Sequence, residues 1–179
     1  MAELAIGNDL PADSGSPESI IVATSTLKDL NGTEVCEDEM RVTFPSLGRS
    51  LELTLIQSEF EIEPIFSGAA WAGSVFWAAA QVLVEKLLLT GEEPVAGRSV
   101  LELGCGLGIP GMSASLLGAS EVVLTEQPQL IPLLIKNVDT NFPTGGERDD
   151  TASAVGARPK SCELSWGTRE AEAFLEARG

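Results

Sequence analysis

The sequence contains no tyrosine and no histidine. The commonest acid–base side chain and the phenol are therefore both missing. Chemistry carried by this chain rests on binding and positioning, or on groups supplied by another molecule. Three cysteines, Cys36, Cys105 and Cys162, are too few and too scattered for a disulfide framework. Without histidine or a CxxC pair, a zinc or iron site is disfavoured and no metal is expected. A reducing compartment is the default, so the expected location is the cytoplasm, alone or together with the nucleus. Basic residues are scarce, 11 against 27 acids, for a net charge of −16. Such a chain repels phosphate backbones, which argues against direct nucleic-acid binding. No apolar run approaches the roughly 18 residues of a membrane helix. The N-terminus has neither a basic start nor an apolar core, so neither a signal peptide nor a membrane anchor is read there.

What is present is apolar content of 44% in 179 residues, enough for one real core. Residues 1–19 are rich in Asp, Glu, Gly, Ser and Pro and are expected to be a disordered acidic tail. Residues 20–66 form the next unit. A short strand is read at Ile20–Ala23. Arg41–Phe44 and Leu51–Gln57 alternate across Pro-Ser-Leu-Gly-Arg-Ser, which predicts a β-hairpin. Leu51, Leu53 and Leu55 share one face of its second arm. From residue 67 to 179 the pattern changes. Ala72–Leu89 has helical apolar spacing, and Gly91 and Pro94 end it. Then come a strand at Arg98–Leu103, a helix at Ile109–Leu117, a strand at Glu121–Thr125 and a helix at Gln127–Asn137. A third strand at Ser161–Ser165 and a last helix at Thr168–Arg178 follow. Strand–helix alternation predicts an α/β fold: a Rossmann-like parallel sheet with flanking helices, preceded by the hairpin.

Gly104, Gly106 and Gly108 lie between a strand and a helix, and Gly111 completes GxGxGxxG. Glycine lets the chain reverse and lets backbone approach a ligand closely. The following helix offers free N–H groups. Three readings fit: a plain tight turn, a nicotinamide or flavin site, or a methyl-donor site. Glu102, two residues before the first glycine, would oppose a pyrophosphate but suits a ligand bearing an ammonium and a sulfonium. Glu126 lies 22 residues after Gly104 at the end of the next strand. An acid there can accept from two ribose hydroxyls, or can simply cap the helix that follows.

Four stretches together resemble the seven-strand class I S-adenosyl-L-methionine-dependent methyltransferases, and within them methyltransferase family 16, small protein-lysine methyltransferases. They are Gly73-Ser-Val-Phe-Trp-Ala-Ala-Ala-Gln-Val-Leu83, Val100–Gly111, Leu124–Val138 and Glu163-Leu-Ser-Trp-Gly167. The resemblance covers roughly residues 41–167. It implies that the cofactor is S-adenosyl-L-methionine. It places Gly104, Cys105 and Gly106 along the methionine end through backbone atoms, Glu126 at the ribose, Trp166 beside the adenine and Trp77 over the pocket. Glu102 is implied near the methionine ammonium. No nucleophile is implied, and Cys105 serves as a small residue. Each tryptophan has a plainer reading as core packing, and Trp71 has only that one.

The family pattern continues past the Leu-x-Trp-Gly segment with a fourth strand carrying an acid-x-x-Tyr motif. That motif is absent here, so the chain is expected to be C-terminally truncated, its sheet incomplete and no catalytic residue assigned. The first strand of the sheet then keeps an open apolar edge. Whether the chain is itself an enzyme stays open on sequence alone. A protein-lysine N-methyltransferase with a protein substrate, a non-catalytic cofactor-binding or interaction fragment, and a small-molecule N-methyltransferase all share this donor half-site.

Overall fold

The computed structural model describes residues 20–28, 34–55, 73, 76–143 and 156–177. The expected tail at 1–19, Trp71 and the end of the second hairpin arm beyond Leu55 lie outside them.

The first layer is an antiparallel sheet of β1 (Ile21–Lys28), β2 (Glu34–Phe44) and β3 (Arg49–Thr54), in that order. Met40, Val42 and Phe44 alternate on β2 and are buried, as are Leu51 and Leu53 on β3. Period-two spacing sends them all to one face. Arg41 and Glu52 stand opposite each other across the strands and pair at 2.5 Å, both well exposed. The turn closes with Gly48 in the left-handed region at φ 60°. The hairpin expected at 41–57 is thus part of a three-stranded meander. The extra strand was legible only as Ile20–Ala23, because its register breaks between Thr24 and Thr26 and the alternation is lost there.

The second layer is a parallel sheet of β4 (Ser99–Leu103), β5 (Glu121–Glu126) and β6 (Lys160–Glu163), in that order. Helices α1 (Ala78–Thr90), α2 (Ile109–Leu116), α3 (Ile131–Asn141) and α4 (Thr168–Glu176) accompany it. This is the Rossmann-like α/β arrangement expected from the alternation. Helix α2 is buried along almost its whole length. Its two serines remain compatible with that burial because Ser113 donates to the Ile109 carbonyl and Ser115 to the Ala157 carbonyl. On the central strand β5, Val122, Leu124 and Thr125 are fully enclosed. Among the described residues β4 pairs only with β5. Leu101 and Leu103 alternate out of it and are 48% and 57% exposed, where strands inside a parallel sheet are covered on both faces.

Two helix starts differ from expectation. Helix α1 begins at Ala78, not Ala72. Trp77 is extended (φ −83°, ψ 142°), so it caps the helix instead of riding on it, and its carbonyl accepts the Ala80 N–H. Pro128–Leu130 form a 3₁₀ turn, and α3 proper starts at Ile131. Pro132 therefore sits in the first helical turn, where a missing N–H costs nothing.

Helix α3 packs along one edge of the first sheet. The outer edge of β3 receives no further strand among the described residues. Instead, Asn137 and Asn141, one turn apart on α3, each clasp the N–H and carbonyl of one residue of β3. Thr54 N–H donates to Asn137 Oδ1 (2.8 Å), and Asn137 Nδ2 donates back to the Thr54 carbonyl (3.1 Å). Glu52 N–H and carbonyl make the same exchange with Asn141 (2.7 and 2.6 Å). A side-chain amide presents one donor and one acceptor side by side, as a neighbouring strand would. These bonds hold α3, and with it the end of β5, in a fixed place against the N-terminal sheet.

Candidate functional site

The turn after β4 is built by glycines for separate reasons. Gly104, Gly106 and Gly108 have φ of 63°, 54° and 78°. Between them, Cys105 N–H donates to the Thr125 carbonyl at 3.0 Å, which straps the turn to β5. At Gly106 a Cβ would lie 2.7 Å from the Gly73 carbonyl oxygen, a backbone atom that cannot swing away. Gly111 is different. Its backbone is ordinary helix, but a Cβ there would lie 2.2 Å from Leu124 Cδ2 and 2.6 Å from Glu102 Oε2. It lets α2 lie close against the sheet. Gly106→Ala is expected to cost about 1–3 kcal/mol of stability from left-handed strain plus that contact. A urea melt measures it, and a midpoint unchanged from the parent would refute the assignment.

Two carboxylates border the turn. Glu126, at the end of β5 and 7% exposed, accepts the Gly106 N–H at Oε2 and the Gln127 N–H at Oε1, both at 2.8 Å. Glu102 points from β4 to the start of α2, where its Oε2 accepts the Gly111 N–H at 2.8 Å. That N–H has no partner within the helix, and a carboxylate suits the positive end of the helix. Burial nonetheless pushes Glu102 up to about 7; the Gly111 bond opposes the rise and the Glu126 charge adds to it. The folded protein therefore holds a proton that the unfolded chain releases near pH 4.5. Its contribution to stability falls as pH rises from about 4.5 to 7. Glu102→Gln is expected to flatten that slope in denaturation midpoints measured across the same window. Burial, followed by the charges of Glu102 and Glu126, also pushes the Cys105 thiol far up, so it stays protonated and is no nucleophile.

These groups open into a cavity of about 580 Å³. All six residues singled out in the sequence, Trp77, Gly104, Cys105, Gly106, Glu126 and Trp166, line it, and so does Glu102. The Leu164 N–H donates to the Glu126 carbonyl at 2.9 Å and brings the segment after β6 to the cavity. The Trp166 ring lies against Gly104, close enough that a Cβ there would touch its Cζ2 at 2.9 Å. Trp77 and Trp166 are 49% and 79% exposed, which removes the plain-core reading for both. The sequence reading missed Phe76, Ala79, Ala80, Leu83 and Gln127, which also line the cavity. The helical spacing of Phe76, Ala79 and Leu83 was taken as a core stripe. The same spacing marks a helix face that borders a cavity, and periodicity does not distinguish the two. The lining is mostly apolar, with Glu102 and Glu126 its charged members and no Lys or Arg among the described residues.

A cavity with an acid at the end of the second strand and glycines at the first turn fits a nucleoside bearing positive charge. Comparison with known proteins gives the family. The family described as lysine methyltransferase, Methyltransf_16, matches residues 62–178. Protein N-lysine methyltransferase METTL21A of Danio rerio is 36% identical over 94 residues, covering 52% of this chain and 38% of that protein. EEF1A lysine methyltransferase 3 of Mus musculus is 30% identical over 129 residues, covering 72% of this chain and 50% of that protein. Protein N-terminal and lysine N-methyltransferase EFM7 of Gibberella zeae is 42% identical over 67 residues, 35% of this chain and 25% of that protein. The matched part of the chain spans half or less of the length of these relatives.

Proposed function

The chain belongs to the lysine methyltransferase family, and from that premise we propose that its cavity binds S-adenosyl-L-methionine for transfer of a methyl group to a lysine of a protein. The observation that carries the proposal is the convergence of Glu126, Glu102, the glycine turn and two indoles on one cavity with no opposing cation among the described residues. The residues suit the ligand. Each Glu126 oxygen holds one backbone N–H and keeps capacity for a ribose hydroxyl. The indole of Trp166 offers a flat apolar face to an adenine. Gly104, Cys105 and Gly106 present backbone without side-chain bulk to the methionine end, and Trp77 shields the mouth. Bound there, the ligand supplies a methyl group on a cationic sulfur. The chain contributes orientation and exclusion of water.

A protein lysine as acceptor is supported by the named activities of the relatives. A second reading is donor binding without transfer, and the lining supports it: every role proposed above is on the donor side. The proposed division is an N-terminal β-hairpin region over residues 20–66 and the donor-binding domain over 67–179. No helix of the described residues is long and apolar enough to cross a membrane. Cys105 and Cys162 form no disulfide, which supports the cytoplasm, alone or with the nucleus, as the place of action.

Calorimetric titration of the full chain with S-adenosylhomocysteine tests the reading. Saturable binding is expected, weakened roughly 3- to 10-fold by Trp166→Ala through loss of about 1 kcal/mol of stacking. Absence of binding by the parent chain would sink it. Methyl transfer to a lysine-bearing protein substrate then separates the two readings.

A further inference from the structure

Glu102 is held differently from Glu126. Glu126 has both oxygens occupied by backbone N–H groups. Glu102 lines the cavity with Oε2 on the Gly111 N–H, and its Oε1 has no hydrogen-bond partner among the described residues. The groups around it supply no counter-charge. From β5 comes Glu126, an acid. From the turn comes Cys105, a thiol that burial keeps neutral. Before and along α1 the lining is Phe76, Trp77, Ala79, Ala80 and Leu83. From α2 it is Ile109 and Pro110, and after β6 it is Trp166. Two carboxylates facing a mostly apolar cavity without a cation are costly to ionise together. A proton on Glu102 or a cationic ligand beside it relieves that cost. Burial pushes Glu102 up to about 7, so near neutral pH the cavity without ligand carries that proton a large part of the time.

Resting on the donor reading above, we propose that Glu102 is a specificity-determining residue that selects the cationic methyl donor over its demethylated product by charge, giving up its proton as the cation arrives. The donor carries an ammonium and a sulfonium. The product keeps the ammonium but has a neutral thioether. The sulfur charge is the one they do not share, so any difference in proton release between the two ligands reports on it. A cation in the cavity stabilises ionised Glu102, and the proton passes to the buffer. After transfer the sulfonium charge is gone, the carboxyl is again easier to protonate, and the product is held less firmly.

The test is titration of the full chain with S-adenosylmethionine and with S-adenosylhomocysteine, each in two buffers of different ionisation enthalpy, from pH 5.5 to 8. At pH 6.5 donor binding is expected to release about half a proton or more, and product binding less. Donor affinity is expected to rise with pH by up to about tenfold per unit below 7, then level off. In Glu102→Gln the amide oxygen still accepts the Gly111 N–H, so the helix start stays braced. There the pH dependence is expected to flatten and the donor-over-product preference to fall at least about threefold. The same variant subtracts the ligand's own ionisation. Equal proton release by the two ligands, or release that survives in Glu102→Gln, would overturn the inference alone. Failure of the parent chain to bind either ligand would overturn the donor reading itself and this inference with it.

Discussion

Glu126→Ala is expected to weaken S-adenosylhomocysteine binding about 30- to 100-fold while the chain stays folded. The magnitude comes from two sources. A carboxylate accepting from ribose hydroxyls makes charge-assisted hydrogen bonds, and losing one costs about 1.5–3 kcal/mol net of exchange with water. The same carboxylate also fixes the glycine turn, because Gly106 N–H donates to it at 2.8 Å across 20 residues of sequence. Alanine removes both, and about 2–3 kcal/mol lost is the 30- to 100-fold change. Glu126→Gln keeps one acceptor and is expected to fall between. Calorimetry gives the affinities, and far-ultraviolet dichroism confirms that the variants remain folded. Affinity of the alanine variant within threefold of the parent would remove Glu126 from the binding site.

Asn137→Ala is expected to cost about 2–4 kcal/mol of stability, a large share of what a domain of this size has. Asn137 is 0% exposed and makes two hydrogen bonds to the backbone N–H and carbonyl of Thr54. Truncation leaves a buried N–H and a buried carbonyl without partners, and each costs about 1–3 kcal/mol. Asn141→Ala removes the equivalent bonds to Glu52 at a site that is only partly buried. Water can replace part of what is lost there, so a smaller effect of about 1 kcal/mol is expected. Urea denaturation gives both values. Hydrogen exchange at the Thr54 amide identifies the cause, since it should accelerate in Asn137→Ala. Unchanged protection of that amide would show that the clasp is not what holds the edge of β3.

The parts of this protein legible in the sequence were those with short-range signatures. The glycine turn between β4 and α2 announced itself by spacing. Strands β4 and β5 were placed to within a residue, because short apolar runs bounded by turn residues leave little freedom. Glu126 could be named from its place at the end of the second strand of the parallel sheet, and Trp166 from the resemblance of its Leu-x-Trp-Gly segment. Boundaries set by backbone conformation were less legible. Trp77 was read inside a helix, since the apolar spacing runs on through it, yet it is extended and caps the helix. The start of α3 slipped for a related reason: Pro128 can open either a 3₁₀ turn or an α-helix, and only packing of Leu130 and Leu134 into the core decides.

The sequence by itself determined the fold class, the place of the turn and the acidic character of the site, all of which depend on neighbours within a few residues or on composition. The tertiary structure alone decided three things. It set Asn137 against Thr54, 83 residues away in sequence, a pairing that no periodicity encodes. It laid Trp166 across Gly104. It set Glu102, half-buried, beside a second acid with no cation among the described lining residues, and so moved its titration to near neutral pH. Burial and proximity are properties of the packed chain. A carboxylate's chemistry follows from what surrounds it, and its surroundings are assembled from segments that the sequence keeps far apart.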